Sequence, residues 1–192
     1  RSILNSGISG ERRIDAMSEL AYELYDFEDS LAFSLSKQAL LESNSINYLK
    51  GKKYANTLIG LGHVNNGEYR AAVACYRNSD AIESNTEMLG IAGYNLTLLG
   101  NLYRDLGKYD SSEFFYVKAV EKMGGYNSNE ARLATALRNM AHLDILRWRN
   151  DAALIKLEKA ERVAVMANDT YNLVDIWSLF GRTYENLLDF DK

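Results

Sequence analysis

The chain has 192 residues, of which 47% are hydrophobic and 25% are charged, and its formal net charge is −4. These values are typical of a folded globular protein and exclude wholesale disorder. The two signs of charge are interspersed without a Lys/Arg-rich run, and no apolar stretch is long enough to span a membrane. We therefore expect no nucleic-acid partner and no membrane contact by this segment itself.

Helices are predicted almost from end to end. Proline, the residue that interrupts helices most strongly, is absent. Apolar residues recur three or four positions apart, beginning with Ile14, Met17 and Leu24, and this spacing continues along the chain. We find no convincing alternation of apolar and polar residues that would predict a strand. The predicted fold class is therefore all-α.

A unit of about forty residues recurs along these helices. Its small anchor residues, Gly60, Gly100, Ala141 and Gly181, are spaced by 40, 41 and 40 positions. Periodicity of this kind predicts a single solenoid domain built from stacked helix pairs. The predicted units are 11–48, 49–88, 89–129, 130–169 and an incomplete 170–192.

Each unit is predicted to consist of a helix, a tight turn and a second helix. Gly67 and Gly107 suit the left-handed position at which many helices end. Trp148 occupies the corresponding place in the next unit. Because a left-handed backbone disfavours large side chains, we expect a less regular turn there.

The two terminal units depart from this pattern. In the first, either Leu20 takes the place of Gly60, or Phe27 and Ser30 set the register instead. The last stops at Lys192 before its second helix begins, and we interpret this end as an artificial or proteolytic boundary. The half-unit leaves an apolar face uncovered, so self-association through it is a further expectation.

These residues resemble the tetratricopeptide repeat, in its longer form of about forty residues. The resemblance covers roughly residues 14–192. It implies a right-handed superhelical solenoid of antiparallel helix pairs, with a concave groove lined by the first helix of each pair. The best copy reads Leu96-x-x-Leu99-Gly100-x-x-Tyr103-x-x-x-Gly107-x-Tyr109-x-x-Ser112-x-x-x-Tyr116-x-x-Ala119.

The resemblance also implies where a partner binds. Aromatic and arginine side chains are common anchors in such interfaces. Arg138, His142 and Arg182, with Asn101 nearby, form the only cluster in this groove that looks capable of holding an anion. The alternative interpretation is that they are ordinary solvated groove residues. The groove positions carried over by register are Tyr54, Thr57, Tyr94, Thr97, Asn101, Arg104, Arg138, Asn139, His142, Asp175 and Arg182.

No catalytic or cofactor signature accompanies the repeats. His63 and His142 lie in different units without a metal-binding motif, and we interpret Cys75 as a small packing residue. We therefore predict that the chain is not an enzyme and needs no cofactor or metal. It is predicted to be a protein- or peptide-interaction scaffold, the sensory or regulatory segment of a larger bacterial signalling protein, cytoplasmic or periplasmic. The alternative is a free-standing receptor for a small peptide or other ligand.

Overall fold

The computed structural model describes residues 9–25, 27–82, 88–124 and 130–189, and within these ranges the chain is helical and contains no strand. The predicted all-α fold class is confirmed. No described helix is long and apolar enough to cross a bilayer. The helices are α1 (Glu11–Leu24), α2 (Asp29–Ser45), α3 (Leu49–Asn65), α4 (Tyr69–Ala81), α5 (Leu89–Asp105), α6 (Tyr109–Met123), α7 (Glu130–Leu146), α8 (Asn150–Met166) and α9 (Thr170–Asp189).

Five of the helix ends share one turn geometry. A residue in the left-handed region follows each helix, with φ between 53° and 73°, at Asn47, Gly67, Gly107, Trp148 and Asn168. The next amide then bonds to the carbonyl five residues earlier, as Arg149 does to Asp144 at 2.9 Å. This is the Schellman ending of a helix. The expectation of an irregular turn at Trp148 is therefore wrong, because these bonds outweigh a left-handed cost of about 1–2 kcal/mol.

The burial of α2 decides between the two registers of the first unit. Ala32 and Ala39 are completely buried, whereas Phe27 is 85% exposed and Ser30 also faces solvent. The helix α2 begins 40 positions before α4, which matches the spacing of the repeat. The structure therefore favours the register that aligns Leu20 with Gly60.

In two helix pairs, a glycine on the first helix packs against a large aromatic ring from the second helix. Gly60 faces Tyr76, and Gly100 faces Tyr116; both tyrosines are fully buried. A Cβ atom built on Gly100 would lie 3.0 Å from Cγ of Tyr116 and closer still to Cδ1 and Cε1. Even one methyl group therefore overlaps the ring, which explains the glycine at this position.

The chain forms two compact units, Arg1–Ile91 and Ala92–Lys192, which divide near the start of α5. Each unit has its own apolar core. The core of the first unit includes Ile14, Met17, Ala21, Tyr25, Ala32, Leu35, Ala39, Ala55 and Leu58. That of the second includes Leu96, Ala119, Met123, Ala134, Ala136, Leu137, Ala141, Ile145, Ala153, Leu157, Ala160, Ala164 and Ile176. The second unit also contains most of the predicted groove residues.

Candidate functional site

A row of polar side chains connects α5 to α7 in the second unit. The hydroxyl of Tyr116 donates to Oδ1 of Asn101 at 2.7 Å, and Nδ2 of Asn139 donates to the same oxygen at 2.8 Å. Oδ1 of Asn139 in turn accepts a hydrogen bond from Nη2 of Arg138 at 3.3 Å. Asn101 and Asn139 are thus held in one orientation by neighbours from both sides.

An ion pair extends this row from α7 to α9. Nη1 of Arg138 donates to Oδ2 of Asp175. The arginine side chain is 20% exposed and the carboxylate 62% exposed, so the pair lies at the edge of the protein surface. Side-chain bonds therefore join α5, α7 and α9 along positions that the repeat register assigned to the groove.

Arg104 is fixed by two neighbours at one end of this surface. Its Nη2 lies 2.9 Å from Oδ1 of Asp105, and its Nη1 donates to the hydroxyl of Tyr116 at 3.5 Å. Burial raises the pKa of Tyr116 to about 12, although Arg104 and a hydrogen bond with Ser112 act in the opposite direction. The phenol therefore stays protonated and can continue to donate to Asn101.

His142 lies half-buried among three arginines. Burial, and then the positive charges of Arg104, Arg182 and Arg138, lower the pKa of His142 below its ordinary value of 6.5, while Asp105 partly opposes them. The imidazole is therefore neutral at pH 7. We call these four side chains, Arg104, Arg138, His142 and Arg182, the basic cluster.

Arg182 carries the uncompensated charge of the basic cluster. Arg104 is paired with Asp105 and Arg138 with Asp175. Arg182 is exposed and makes no hydrogen bond or ion pair with any other described residue. An anion arriving at this surface would meet Arg182 together with His142, whose pKa it would raise.

The two threonines among the predicted groove residues lie in the interior. Thr57 and Thr97 are at most 1% exposed. Their hydroxyls donate to carbonyl oxygens of their own helices, at Lys53 and Gly93 respectively, both at 3.1 Å. Neither hydroxyl is available to a partner on the surface.

Two aromatic groove residues are only partly covered. Tyr54, in the first unit, packs against the core of that unit. Tyr94 is half-buried in the second unit, with the guanidinium of Arg132 5.6 Å from its ring centroid.

Sequence reasoning did not identify Tyr116 as part of the site. It treated this tyrosine as a ring that fills space between helices, and the ring is indeed fully buried. Its hydroxyl nevertheless reaches Asn101, because the ring lies against Gly100, the preceding residue. In the sequence, the signal for the Tyr116–Asn101 contact is the glycine at position 100, which lets the Tyr116 ring of the second helix lie close to the first helix.

Burial raises the pKa of Cys75, so its half-buried thiol is protonated at neutral pH. Among the described residues, no group of three or more His, Cys, Asp or Glu side chains is placed to hold a metal ion.

Comparisons with known proteins agree with this architecture. The family profile described as "Tetratricopeptide repeat" matches residues 94–121, which extend from α5 into α6. The crystal structure of the apo form of RapI superposes with a TM-score of 0.70 and 14% identity, over 98% of this chain and 73% of RapI. The structure of BtubC (BKLC) from P. vanneervenii gives a TM-score of 0.63 and 15% identity, over 82% of this chain and 65% of BtubC. No curated protein matches the chain in sequence. The chain therefore carries a tetratricopeptide-type repeat at residues 94–121 and has the fold of helical-repeat proteins.

Proposed function

We propose that the second unit of this non-catalytic scaffold binds an acidic peptide segment on the surface formed by α5, α7 and α9. The repeat fold itself supports a protein-interaction scaffold. The observation that carries the finer proposal is the basic cluster, in which Arg182 has no carboxylate partner among the described residues and His142 is neutral.

The chemistry of the basic cluster selects a carboxylate. A guanidinium can bind a carboxylate with two parallel hydrogen bonds, and such charge-assisted bonds are among the strong ones. A bound carboxylate raises the pKa of His142, because the negative charge stabilises the protonated imidazole. Binding therefore favours proton uptake by this side chain. Peptide binding is therefore expected to be coupled to proton uptake and to weaken as the salt concentration rises.

A peptide-library pull-down tests this proposal. Acidic peptides should be retained by the wild-type chain, and Arg182→Ala should weaken their binding at least about tenfold, which corresponds to ~1.4 kcal/mol. Arg162→Ala is the matched control, because Arg162 is exposed on α8 and has no ion pair in the described structure. Retention that is unchanged by both Arg182→Ala and His142→Gln would refute the acidic-peptide site.

We further propose that the chain is the sensory or regulatory segment of a larger bacterial signalling protein. The support is the resemblance to long-form repeats that are joined to a kinase, cyclase or helix-turn-helix output domain. The complete reading frame tests this context. A following output domain supports it, whereas a stop codon directly after Lys192 would instead favour a free-standing receptor for a small peptide.

A further inference from the structure

The ion pair between Arg138 and Asp175 can open without breaking other contacts of the protein. Asp175 is bonded only to Arg138 among the described residues, and its carboxylate is 62% exposed. The carboxylate of Asp144, by contrast, is 2% exposed and binds two cations, Arg149 and Lys156. Because an exposed ion pair contributes little to stability, another anion can replace Asp175 at low cost.

The guanidinium of Arg138 is held in place independently of Asp175. Its Nε and Nη2 donate to Oδ1 of Asn139 at 3.4 and 3.3 Å, and Nδ2 of Asn139 donates to Asn101 at 2.8 Å. Asp175 instead accepts a hydrogen bond from Nη1. Since different N–H groups make these contacts, Nη1 can exchange its carboxylate while Asn139 fixes the other side of the guanidinium. Arg138 is therefore a preorganised carboxylate site that Asp175 occupies.

Two positions for an anion lie about one helical turn apart on this surface. Arg138 and His142 are four residues apart on α7, so their Cβ atoms are about 5–6 Å apart on one face of the helix. After burial, the charges of nearby arginines, including Arg182 and Arg138, lower the pKa of His142. One anion can thus bind at His142 and Arg182, and a second can bind at Arg138.

An extended peptide matches this separation when its acidic residues alternate with other residues. Each residue advances an extended chain by about 3.3 Å, so residues i and i+2 are about 6.6 Å apart and point to the same side. The rotatable side chains of arginine and glutamate accommodate the small remaining difference. Adjacent acidic residues point to opposite sides of the peptide, so only one of them can face α7.

We propose that the ligand carries an acidic-x-acidic sequence, and that Asp175 occupies the place of one of its two carboxylates until the ligand displaces it. The proposal rests on the acidic-peptide site described above. One ligand carboxylate binds to Arg182 and His142, and the other replaces Asp175 at Nη1 of Arg138. Asp175 is thereby an internal competitor, which lowers the affinity for ligands that need Arg138.

Isomeric peptides of equal charge test the spacing. Each labelled peptide consists of serine, glycine and two glutamates, and both ends are blocked so that the isomers differ only in the positions of the glutamates. In fluorescence anisotropy at low salt, the isomer with glutamates at i and i+2 should bind at least about fivefold tighter, or ~1 kcal/mol, than the isomers with adjacent glutamates or glutamates four positions apart. Tighter binding of the last isomer would instead identify a helical ligand and overturn the proposal.

The decisive variant is Asp175→Asn, which keeps the size of the side chain but removes its charge. Affinity for the i, i+2 isomer should rise about two- to fivefold, or ~0.4–1 kcal/mol, because the peptide no longer has to displace a carboxylate from Arg138. In an Arg138→Gln background the same substitution should give no gain, because no guanidinium is left to release. Asp110→Asn removes an exposed carboxylate that is paired with Arg147, and as the control it should leave binding unchanged.

Three further results would also overturn the proposal. The isomers could bind equally well, or Asp175→Asn could give no gain. The gain could also persist in the Arg138→Gln background, which would show that Asp175 acts through charge repulsion alone. Any of these results, together with Arg182-dependent binding of acidic peptides, counts against the acidic-x-acidic ligand and leaves the acidic-peptide site standing. If no acidic peptide binds to the wild type or to Asp175→Asn, both proposals are wrong.

Discussion

Alanine substitutions at two equivalent glycines, Gly100 and Gly181, should change stability in opposite directions. Both glycines lie in helices of the second unit, so replacing either with alanine gains about 1 kcal/mol of helix propensity. Only Gly100 faces a buried ring, that of Tyr116. The difference between the two variants therefore isolates the cost of crowding this ring.

The geometry sets the size of that cost. The added Cβ would lie 3.0 Å from Cγ of Tyr116 and nearer to two other ring atoms. The ring cannot move freely, because Tyr116 is fully buried and its hydroxyl is bonded to Asn101. Overpacking of this kind costs about 1–3 kcal/mol. Gly100→Ala should thus destabilise by about 1 kcal/mol net, and Gly181→Ala should stabilise by about 1 kcal/mol.

Urea denaturation followed by circular dichroism gives both free energies of unfolding. In a thermal melt, a change of about 1 kcal/mol corresponds to a shift of about 2–4 °C for a chain of this size. The reasoning is refuted if the two variants change stability in the same direction and by similar amounts. That result would mean that the Tyr116 ring yields at little cost and that glycine at position 100 is not required by packing.

Three further predictions concern the polar interior and the basic cluster. Tyr116→Phe should cost about 1 kcal/mol in urea denaturation, because Asn101 loses a buried donor. Asp144→Asn should lower the free energy of unfolding by about 3 kcal/mol, because Arg149 and Lys156 lose a carboxylate that is only 2% exposed. The control Asp110→Asn should change the free energy of unfolding little, because that carboxylate is 96% exposed. NMR titration should find the pKa of His142 below 6.5. Since the unfolded chain then binds the proton more readily, stability should fall as the pH drops through 6.5, and this slope should be smaller in His142→Gln.

The helix pairs were predictable because their signals are local and repeated. Gly60 and Gly100 predicted that the two helices of a pair approach each other closely. The buried tyrosine rings that lie against these glycines confirm this prediction. The turn at Trp148 was not predictable in the same way. Residue preference argued against a left-handed tryptophan, but its φ of 58° is set by the same backbone bonds that act at Gly107. Intrinsic preference is worth only about 1–2 kcal/mol, and helix packing can exceed it.

Register assigned positions to the first helices but did not predict which of those side chains reach the surface. Register placed Asn101, Arg138 and Asp175 on first helices, and the structure connects all three through side-chain bonds. It also selected Thr57 and Thr97, whose hydroxyls bond within their own helices and lie inside the protein. Whether a residue at the margin of a helix face points inward depends on the packing of its neighbours, which spacing along the sequence does not record.

Tyr116 connects the packing of a helix pair with the chemistry of the groove. Its ring occupies the place over Gly100, and its hydroxyl holds Asn101. At the equivalent positions of α9 stand Gly181 and Arg182, and the first faces open space while the second has no described partner. Gly181 therefore lacks, among the described residues, the ring that lies over Gly60 and Gly100.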